Sequence, residues 1–419
     1  MHPHAVLPRS ERSVFLCVTI PLSGVNFLNQ ASRALIATIG PLLALEFSLS
    51  ATQLGLLAAM FFAAYCLAQL PVGLAMDLFG VRRVQIFLSL TAGLGFAICA
   101  LSTGTLMLAV GRMITGLGIS VGMIGMLTAH AQWVPRARVP ALTGAGIFLA
   151  SFGGLLATLP TQLVLPLLGW RGVFWLLAVV AVLVAAAIWY FVPEPARTAP
   201  ARRSLRHELA EYGRIFTHPI FLRFAPALVV LTGLNFAYGG LWAGPWLRDV
   251  GGFDAGARAW LLLIYMSGMM VGSLCTGQAA SYLNRRGYDP MLASWIGMAG
   301  LFACQIALLT HPVTSAGWVG LVWFLFAFLS AAGPTGYSAI AGRFPPELAG
   351  RVGTAINGTM LAFVFVLQNA IGWILDLWPR MADGGWNTAG YGWAMGMTVV
   401  VQLGAVGWMV VGRNYSSFR

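Results

Sequence analysis

The sequence contains very little charge. Only 9% of its 419 residues are Asp, Glu, Lys or Arg, and all 24 basic residues are Arg. A soluble globular protein carries about 25% charged residues, whereas 59% of this chain is hydrophobic. The composition excludes the soluble classes and predicts a polytopic membrane protein. In a soluble chain the net charge of +12 would indicate nucleic acid as a partner; here we expect none.

The sequence also lacks the motifs of disulfides, metal sites and enzymes. Its five cysteines all lie in apolar segments and show no CxxC or Cys/His spacing, which predicts small buried side chains. It contains no nucleophile triad, phosphate-binding loop or metal-ligand spacing. We therefore expect no enzyme activity, no catalytic residues, no cofactor and no metal.

Long apolar runs make up most of the chain instead. A membrane span needs about 20 apolar residues, and twelve segments qualify, in two groups of six. The expected fold is an all-α membrane protein with two six-helix bundles, 1–193 and 223–419, joined by a linker at 194–222 that forms an amphipathic surface helix. The predicted spans are 14–45, 51–76, 84–103, 105–132, 140–164, 171–193, 223–249, 257–280, 290–310, 316–341, 351–376 and 392–412.

The arginines predict the orientation of these spans. The loops on one side, which include both termini and the linker, hold most of them. The loops on the other side hold only four: Arg171, Arg248, Arg258 and Arg380. Because arginine-rich loops stay in the cytoplasm, we expect a multi-pass protein of the bacterial inner membrane with both termini cytoplasmic.

The two halves repeat the same spacing between a Gly-Pro pair and the residue that caps the next helix. A Gly-Pro pair at 40–41 is followed nine residues after its proline by Ser50, and a second pair at 244–245 is followed at the same distance by Asp254. Ser50 and Asp254 are therefore predicted N-caps, and Ser50 with Gln53 also fits a capping box. Transporters built from such repeats bind substrate at the repeat interface near the middle of the membrane.

The stretch 73–83, GLAMDLFGVRR, resembles the loop between spans two and three of the major facilitator superfamily. With Gly169-Trp170-Arg171 and the 345–351 loop, the resemblance covers essentially the whole chain. It implies a transporter whose motif acts as a gate, with Asp77 pairing to a neighbouring helix to hold the outward-facing state. The alternative is a solvated loop that only sets topology. The matching residues are Gly73, Asp77, Gly80, Arg82 and Arg83.

The first span carries a polar stripe. In lipid such a face must line a water-filled cavity or meet polar partners. Arg33 lies eight residues before Pro41, a register that resembles the anion–cation symporter branch, where this Arg binds a substrate carboxylate. The resemblance implies that Arg33 binds substrate, and the stripe adds Asn26 and Gln30 as candidate substrate residues; the alternative is an Arg33 satisfied by Asn26, Asn29 or carbonyl groups alone. At about 100° per residue, five side chains fall within roughly 80° of arc: Thr19, Ser23, Asn26, Gln30 and Arg33.

Two positions depart from that branch. Ser32 replaces the usual Asp, and Ile119 replaces a Glu that follows the fourth-span Arg112. Both acids are tied to proton coupling in the branch, so the coupling ion stays open. Arg112 begins a fourth-span pattern that resembles the superfamily, and it either binds substrate or donates to neighbouring carbonyls as a structural clamp. Arg33 and Arg112 are the only charges deep in the predicted spans, and a bound anion would neutralise them.

The seventh span mirrors the first. At about 100° per residue, five of its residues fall on one face, and Tyr238 lies at the edge of that face. Gln368 is a polar residue of span eleven. Such amides and aromatics suit a small amphiphilic molecule, and interhelical hydrogen bonding is the alternative. The candidate substrate residues in this half are Asn235, Tyr238, Trp242 and Gln368. The five that share the face are Thr232, Asn235, Gly239, Trp242 and Trp246.

These patterns predict a secondary active or facilitative transporter that moves a small organic anion by alternating access. Its expected partners are that small-molecule substrate and the lipid bilayer, and we expect a monomer. One alternative is efflux of amphiphilic compounds, against which the spans offer no carboxylate and 151–154 lacks the Gly-Pro of antiporters. A non-transporting membrane sensor is the other alternative, and the sequence shows no appended domain for it.

Overall fold

The computed structural model describes residues 11–134, 139–193, 205–310, 315–345 and 348–411. All regular elements in these ranges are helical, as predicted. The described residues include eleven helices long and apolar enough to cross a membrane, and the shorter apolar helix Leu142–Leu156. The α-helices are α1 Glu11–Val14, α2 Ile20–Glu46, α3 Ala51–Phe79, α4 Val81–Ala100, α5 Thr105–Ile119, α6 Gly122–Trp133, α7 Val139–Leu156, α8 Leu159–Phe191, α9 Leu205–Thr217, α10 Pro219–Ala237, α11 Ala243–Asp249, α12 Ala255–Arg285, α13 Met291–Thr310, α14 Ala316–Ser330, α15 Gly333–Ala341, α16 Ala349–Leu375 and α17 Thr388–Val411.

The predicted fifth and sixth spans meet in a broken helix. Helix α8 contains Gly169 with a left-handed φ of 63°, so it consists of two helices joined at that glycine. We count α7 with the first part of α8 as the fifth span, and the part after Gly169 as the sixth. This gives twelve spans, as predicted. The break predicted over 165–170 is confined to one residue, Gly169.

The chain divides into two compact units. Unit 1 contains Met1–Ile39 and Leu56–Arg202, and unit 2 contains Gly40–Gly55 and Arg203–Arg419. Helix α2 therefore enters unit 2 after Ile39, and α3 returns to unit 1 at Leu56. The sequence pattern did not indicate that residues 40–55 would group with the second unit.

Small residues hold α5 close to its neighbours in unit 1. A Cβ added to Gly116 would lie 2.2 Å from the carbonyl oxygen of Phe61 on α3, and one added to Gly118 would lie 2.3 Å from the backbone nitrogen of Ala92 on α4. Such approach of backbone to backbone is open only to glycine at these positions. It fixes α5 and buries Arg112, which projects from it.

The turns that precede α3 and α12 have the same construction. Ser48 and Gly252 are both left-handed, with φ of 50° and 66°, and each lies two residues before the N-cap. Ser50 and Asp254 accept hydrogen bonds from the backbone N–H three residues on, at 3.1 and 2.8 Å. The predicted caps are thereby confirmed, and the sequence repeat extends to backbone conformation.

Candidate functional site

Helix α2 places Arg33 in the interior of unit 1. The residue exposes only 9% of its surface, and Nη2 donates to Oε1 of Gln30, one turn earlier on the same helix. Asn26 exposes 7% and continues the stripe, and its Nδ2 is buried without a hydrogen-bond partner among the described residues. The three predicted residues therefore share a buried polar face, and Arg33 and Gln30 are bonded directly.

Helix α3 adds two polar residues to this cluster that the sequence reasoning missed. The hydroxyl of Tyr65 lies within interaction range of Arg33, Asn29 and Gln69. Tyr65 and Gln69 are four residues apart, so they project from one face of α3. That spacing of polar residues within a span is the signal that could have revealed them. Tyr65 thus brings a phenol near the guanidinium of Arg33, with Asn29 and Gln69 beside that phenol, and a guanidinium in such surroundings suits a carboxylate or sulfonate.

Arg112 makes a different set of contacts. Its Nη1 donates to the hydroxyl of Ser32 at 2.7 Å and to the carbonyl oxygen of Ser32 at 3.0 Å. Its Cζ lies 4.6 Å from the ring centroid of Phe61, and the residue is only 1% exposed. These are the contacts of the interhelical clamp, one of the two roles the sequence offered. A role in substrate binding stays a prediction.

The candidate residues of the seventh span contact two different helices. Asn235 Oδ1 accepts from the hydroxyl of Tyr265 on α12 at 2.5 Å, whereas Trp242 Nε1 donates to the carbonyl oxygen of Gln368 on α16 at 3.3 Å. A π-helical turn at Tyr238–Trp242 lies between them. Because a π-turn holds one residue more than an α-turn, counting at a constant angle fails across it. The single polar face expected from that count is therefore wrong.

Tyr238 and Gln368 lie inside the packing of unit 2. The Tyr238 hydroxyl is 3.4 Å from Oγ1 of Thr398 on α17. Gln368 is fully buried, and within the described ranges neither of its amide atoms has a hydrogen-bond partner. Both residues link or adjoin neighbouring helices, so contact with substrate stays a prediction for them.

The motif at 73–83 lies at the junction of α3 and α4. Gly80 takes a left-handed φ of 85° immediately before α4, which lets α4 start at Val81. Arg82 donates to the carbonyl oxygen of Trp189 near the end of α8, so the basic end of the motif ties two helices of unit 1 together. The side chain of Asp77 lies outside the described residues, and its pairing stays a prediction.

Two cavities in the described residues are apolar. One of about 410 Å³ lies between residues 16–24 and 180–191 of unit 1, and one of about 300 Å³ lies among α12, α13 and α14 of unit 2. None of the predicted substrate residues lines either cavity. Their linings suit hydrocarbon chains better than a polar anion.

The twelve-span count and the repeated halves can be compared with known families. The sequence profile of the Major Facilitator Superfamily matches residues 22–368. The chain belongs to the Major Facilitator Superfamily. It is therefore a multi-pass membrane protein of a transporter family and not an enzyme, as predicted.

Several relatives of this major facilitator protein are named as transporters. It is 24% identical to the uncharacterized transporter YybO of Bacillus subtilis, over 80% of this chain and 81% of that one. It is 24% identical to the probable sulfoacetate transporter SauU of Cupriavidus necator, over 80% of each. It is 28% identical to the cis,cis-muconate transport protein of Acinetobacter baylyi, over 58% of this chain and 60% of that one.

Solved structures share the fold. The crystal structure of a bacterial homolog of the human lysosomal transporter Spinster superposes with a TM-score of 0.74 at 18% identity, covering 96% of this chain and 97% of that one. At this identity the likeness concerns architecture alone. It supports the assignment of an all-α major facilitator fold.

Proposed function

We propose that this protein moves a small organic anion across the inner membrane by alternating access of two six-helix halves, 1–193 and 223–419. The observation that carries the proposal is the burial of Arg33 beside Gln30 and Tyr65, with Asn29 and Gln69 adjoining the Tyr65 hydroxyl. An arginine in the middle of a span costs about 2.5–3.5 kcal/mol even on lenient scales. A bound carboxylate or sulfonate would offset that cost through a bidentate, charge-assisted contact.

The named substrates of two relatives support the class of substrate. Sulfoacetate and cis,cis-muconate are both small organic anions, and the relatives named for them align with 80% and 58% of this chain. Either compound presents a terminal anionic group that a planar guanidinium can bind. The proposal therefore names the class, and these two compounds are the first to test.

The arginine distribution supports the proposed orientation, with both termini and the linker in the cytoplasm. The proposal leaves the coupling ion open, because Ser32 and Ile119 occupy the positions at which the anion–cation symporter branch carries acids. It also describes a monomer, and it leaves the gate role of Asp77 as a separate proposal.

The test is ligand-induced stabilisation of the purified protein. Sulfoacetate, cis,cis-muconate and other short carboxylates would be compared with uncharged amides of the same size and with amphiphilic cations. A ligand at 100 times its Kd adds about 2.7 kcal/mol to the stability of the native state, so a true substrate should raise the melting temperature measurably. Stabilisation by amphiphilic cations and by no anion would contradict the proposal and favour efflux. Uptake by proteoliposomes would then be measured for each stabilising compound.

A further inference from the structure

The first turn of α3 is capped by a residue from the far end of the chain. Asp376, directly after α16, accepts from the backbone N–H of Ala51 through Oδ1 at 2.9 Å and from that of Thr52 through Oδ2 at 2.8 Å. The first N–H groups of a helix have no partner within the helix, and the helix dipole favours an anion there. Two of these donors therefore depend on a carboxylate more than 300 residues away.

The remaining cap of α3 is local. Gln53 N–H donates to Ser50 Oγ at 3.1 Å, and Ser50 N–H donates to Gln53 Oε1 at 2.9 Å, which completes the predicted capping box. The box accounts for Gln53 and Ser50 but leaves Ala51 and Thr52 to Asp376. Local sequence thus forms the helix end, and Asp376 adds a contact that the fold of α3 does not itself require.

Helix α16 packs tightly on this segment over two turns. A Cβ on Gly372 would lie 2.5 Å from the carbonyl oxygen of Ala51, and a Cβ on Gly55 would lie 2.6 Å from that of Gln368. Residues 368, 372 and 376 are spaced by four and so share one face of α16. That face meets residues 51–55 continuously, with the carboxylate of Asp376 at its end.

The connection after α16 makes a second contact with the same segment. Arg380 donates from Nη2 to the carbonyl oxygen of Leu49, and its Cζ lies 5.8 Å from the ring centroid of Trp386. Trp386 N–H in turn donates at 3.1 Å to Asp249, which also accepts from the Tyr391 hydroxyl at 2.7 Å. Trp386, itself fixed by Asp249, thus contacts the guanidinium of Arg380 while that group donates to Leu49.

We propose that Asp376 and Arg380 form a latch that holds residues 49–55 against α16 and that opens during the transport cycle. The inference rests on the proposed function, since only a protein that alternates between conformations has use for a releasable contact. Both groups that make the latch are exposed side chains acting on backbone atoms of a turn. Water can therefore replace their bonds when the segment moves away.

The test measures the closed fraction by spin labelling, without any substrate. With the five native cysteines replaced, nitroxides would be placed at Leu45, which is 57% exposed, and at the exposed Ala382. Leu45 Cδ2 lies 3.4 Å from a Cβ built on Gly384, so labels at these sites are close when the latch is shut. Dipolar broadening then reports the closed population in the full-length protein.

Asp376→Asn keeps the shape but loses the charge and one acceptor, so we expect the ratio of closed to open protein to fall by about tenfold. Arg380→Gln removes the contacts with Leu49 and Trp386 but leaves both bonds of Asp376, and should lower the ratio by less. The matched control is Asp383→Asn on the same connection, since in the described residues Asp383 accepts from Gly385 N–H at 3.0 Å and makes no hydrogen bond to residues 49–55, so it should leave the ratio unchanged.

Equal broadening in the Asp376, Arg380 and Asp383 variants would overturn the latch, and so would a wild type without a broadened population. If Asp376→Asn fails to fold, Arg380→Gln decides the matter by the same comparison. Loss of broadening in the latch variants combined with no response to any organic anion would leave the latch standing and contradict the proposed substrate class instead.

Discussion

Arg112 donates from a single nitrogen, Nη1, to both the hydroxyl and the carbonyl oxygen of Ser32, the residue directly before Arg33. The fourth span is thereby hydrogen-bonded to the first span at the residue next to Arg33, the buried arginine of the first span. Ser32 occupies the position of the acid in the anion–cation symporter branch, so here a hydroxyl faces Arg112 where that branch would place a carboxylate. The two arginines differ in role: one anchors the helix that carries the other.

Ser32→Ala should lower the free energy of unfolding by about 1.5–3 kcal/mol, the usual worth of a hydrogen bond to a charged group. Ser23→Ala on the same helix is the matched control, because Ser23 Oγ donates only to the local carbonyl of Ile20 at 2.7 Å. Melting temperatures of both variants in the same detergent check the difference. Equal losses would show that the Arg112 contact contributes nothing specific.

Arg33→Lys should retain part of the binding of an organic anion, and Arg33→Gln should retain very little. Lysine keeps the positive charge but loses the planar fork that binds two oxygens at once. Folding should suffer less than binding, because removing a buried charge relieves its desolvation cost. Affinity by titration is compared with melting temperature in the absence of ligand. Normal transport by Arg33→Gln, or its failure to fold beside a normal Arg33→Lys, would make Arg33 structural.

Gly252→Ala should cost about 1–2 kcal/mol, because an L-residue in a left-handed conformation brings its Cβ close to a carbonyl oxygen. A Cβ at Gly252 meets no other atom within 4 Å, so the cost is purely conformational. Ser48→Gly at the equivalent turn should instead gain up to about 1 kcal/mol, partly cancelled by the entropy of glycine in the unfolded chain. Thermal unfolding of both variants tests the opposite signs. A loss of stability in Ser48→Gly would contradict this account of the turn.

A cysteine at Thr217, an exposed residue at the end of α9, should react with an impermeant thiol reagent only from the cytoplasmic side. A cysteine at the exposed Ala382 should react only from the opposite side and serves as the control. The expectation follows from the arginine-rich linker 194–222, which contains α9. Labelling of Thr217→Cys in intact cells would reverse the proposed orientation.

The closed fraction of the latch should be constant near neutral pH and should fall in acid. Desolvation raises the pKa of Asp376, but the N–H and hydroxyl groups of residues 50–52 outweigh it and hold the pKa below its ordinary value. Opening removes these donors and returns the pKa toward about 3.9. The closed form is therefore favoured above that value and loses its advantage as the pH falls through the lowered pKa. Dipolar broadening from neutral pH to about pH 3 tests this, and Asp376→Asn should abolish the dependence; a dependence that survives in Asp376→Asn belongs to another group.

The parts of the fold that sequence reasoning predicted are those set by local chemistry. Apolar length predicted the spans, and the positions of Ser50 and Asp254 after two Gly-Pro pairs predicted the caps that the structure contains. A capping residue and its donor are three positions apart, so the sequence holds all the information needed. The break between spans five and six was predicted at 165–170, but its restriction to the backbone conformation of Gly169 was not, because one left-handed residue changes neither hydropathy nor length.

The candidate site was predicted only in part, since its contacts join distant positions. The stripe on α2 followed from helical periodicity alone, whereas the partners of Arg112 and Asp376 lie 80 and more than 300 residues away. Tyr65 entered the Arg33 cluster because it lies near Arg33 and Asn29 of a different helix, and no periodicity within either helix can express such a neighbour. The residues of the seventh span were assigned to one face because an apolar π-turn looks like any other apolar turn in the sequence.

The π-turn at Tyr238–Trp242 has a consequence for evolution as well as for geometry. It contains one residue beyond the α-helical count, so deleting Gly240 would let it relax to an α-turn while the residues before and after it keep their faces. Trp242 would then keep the carbonyl of Gln368 as its partner, and Asp249 would keep Tyr391. A homologue with a wholly α-helical seventh span and the same faces would therefore have one residue fewer at this point, and an alignment without a gap there would pair faces that do not correspond.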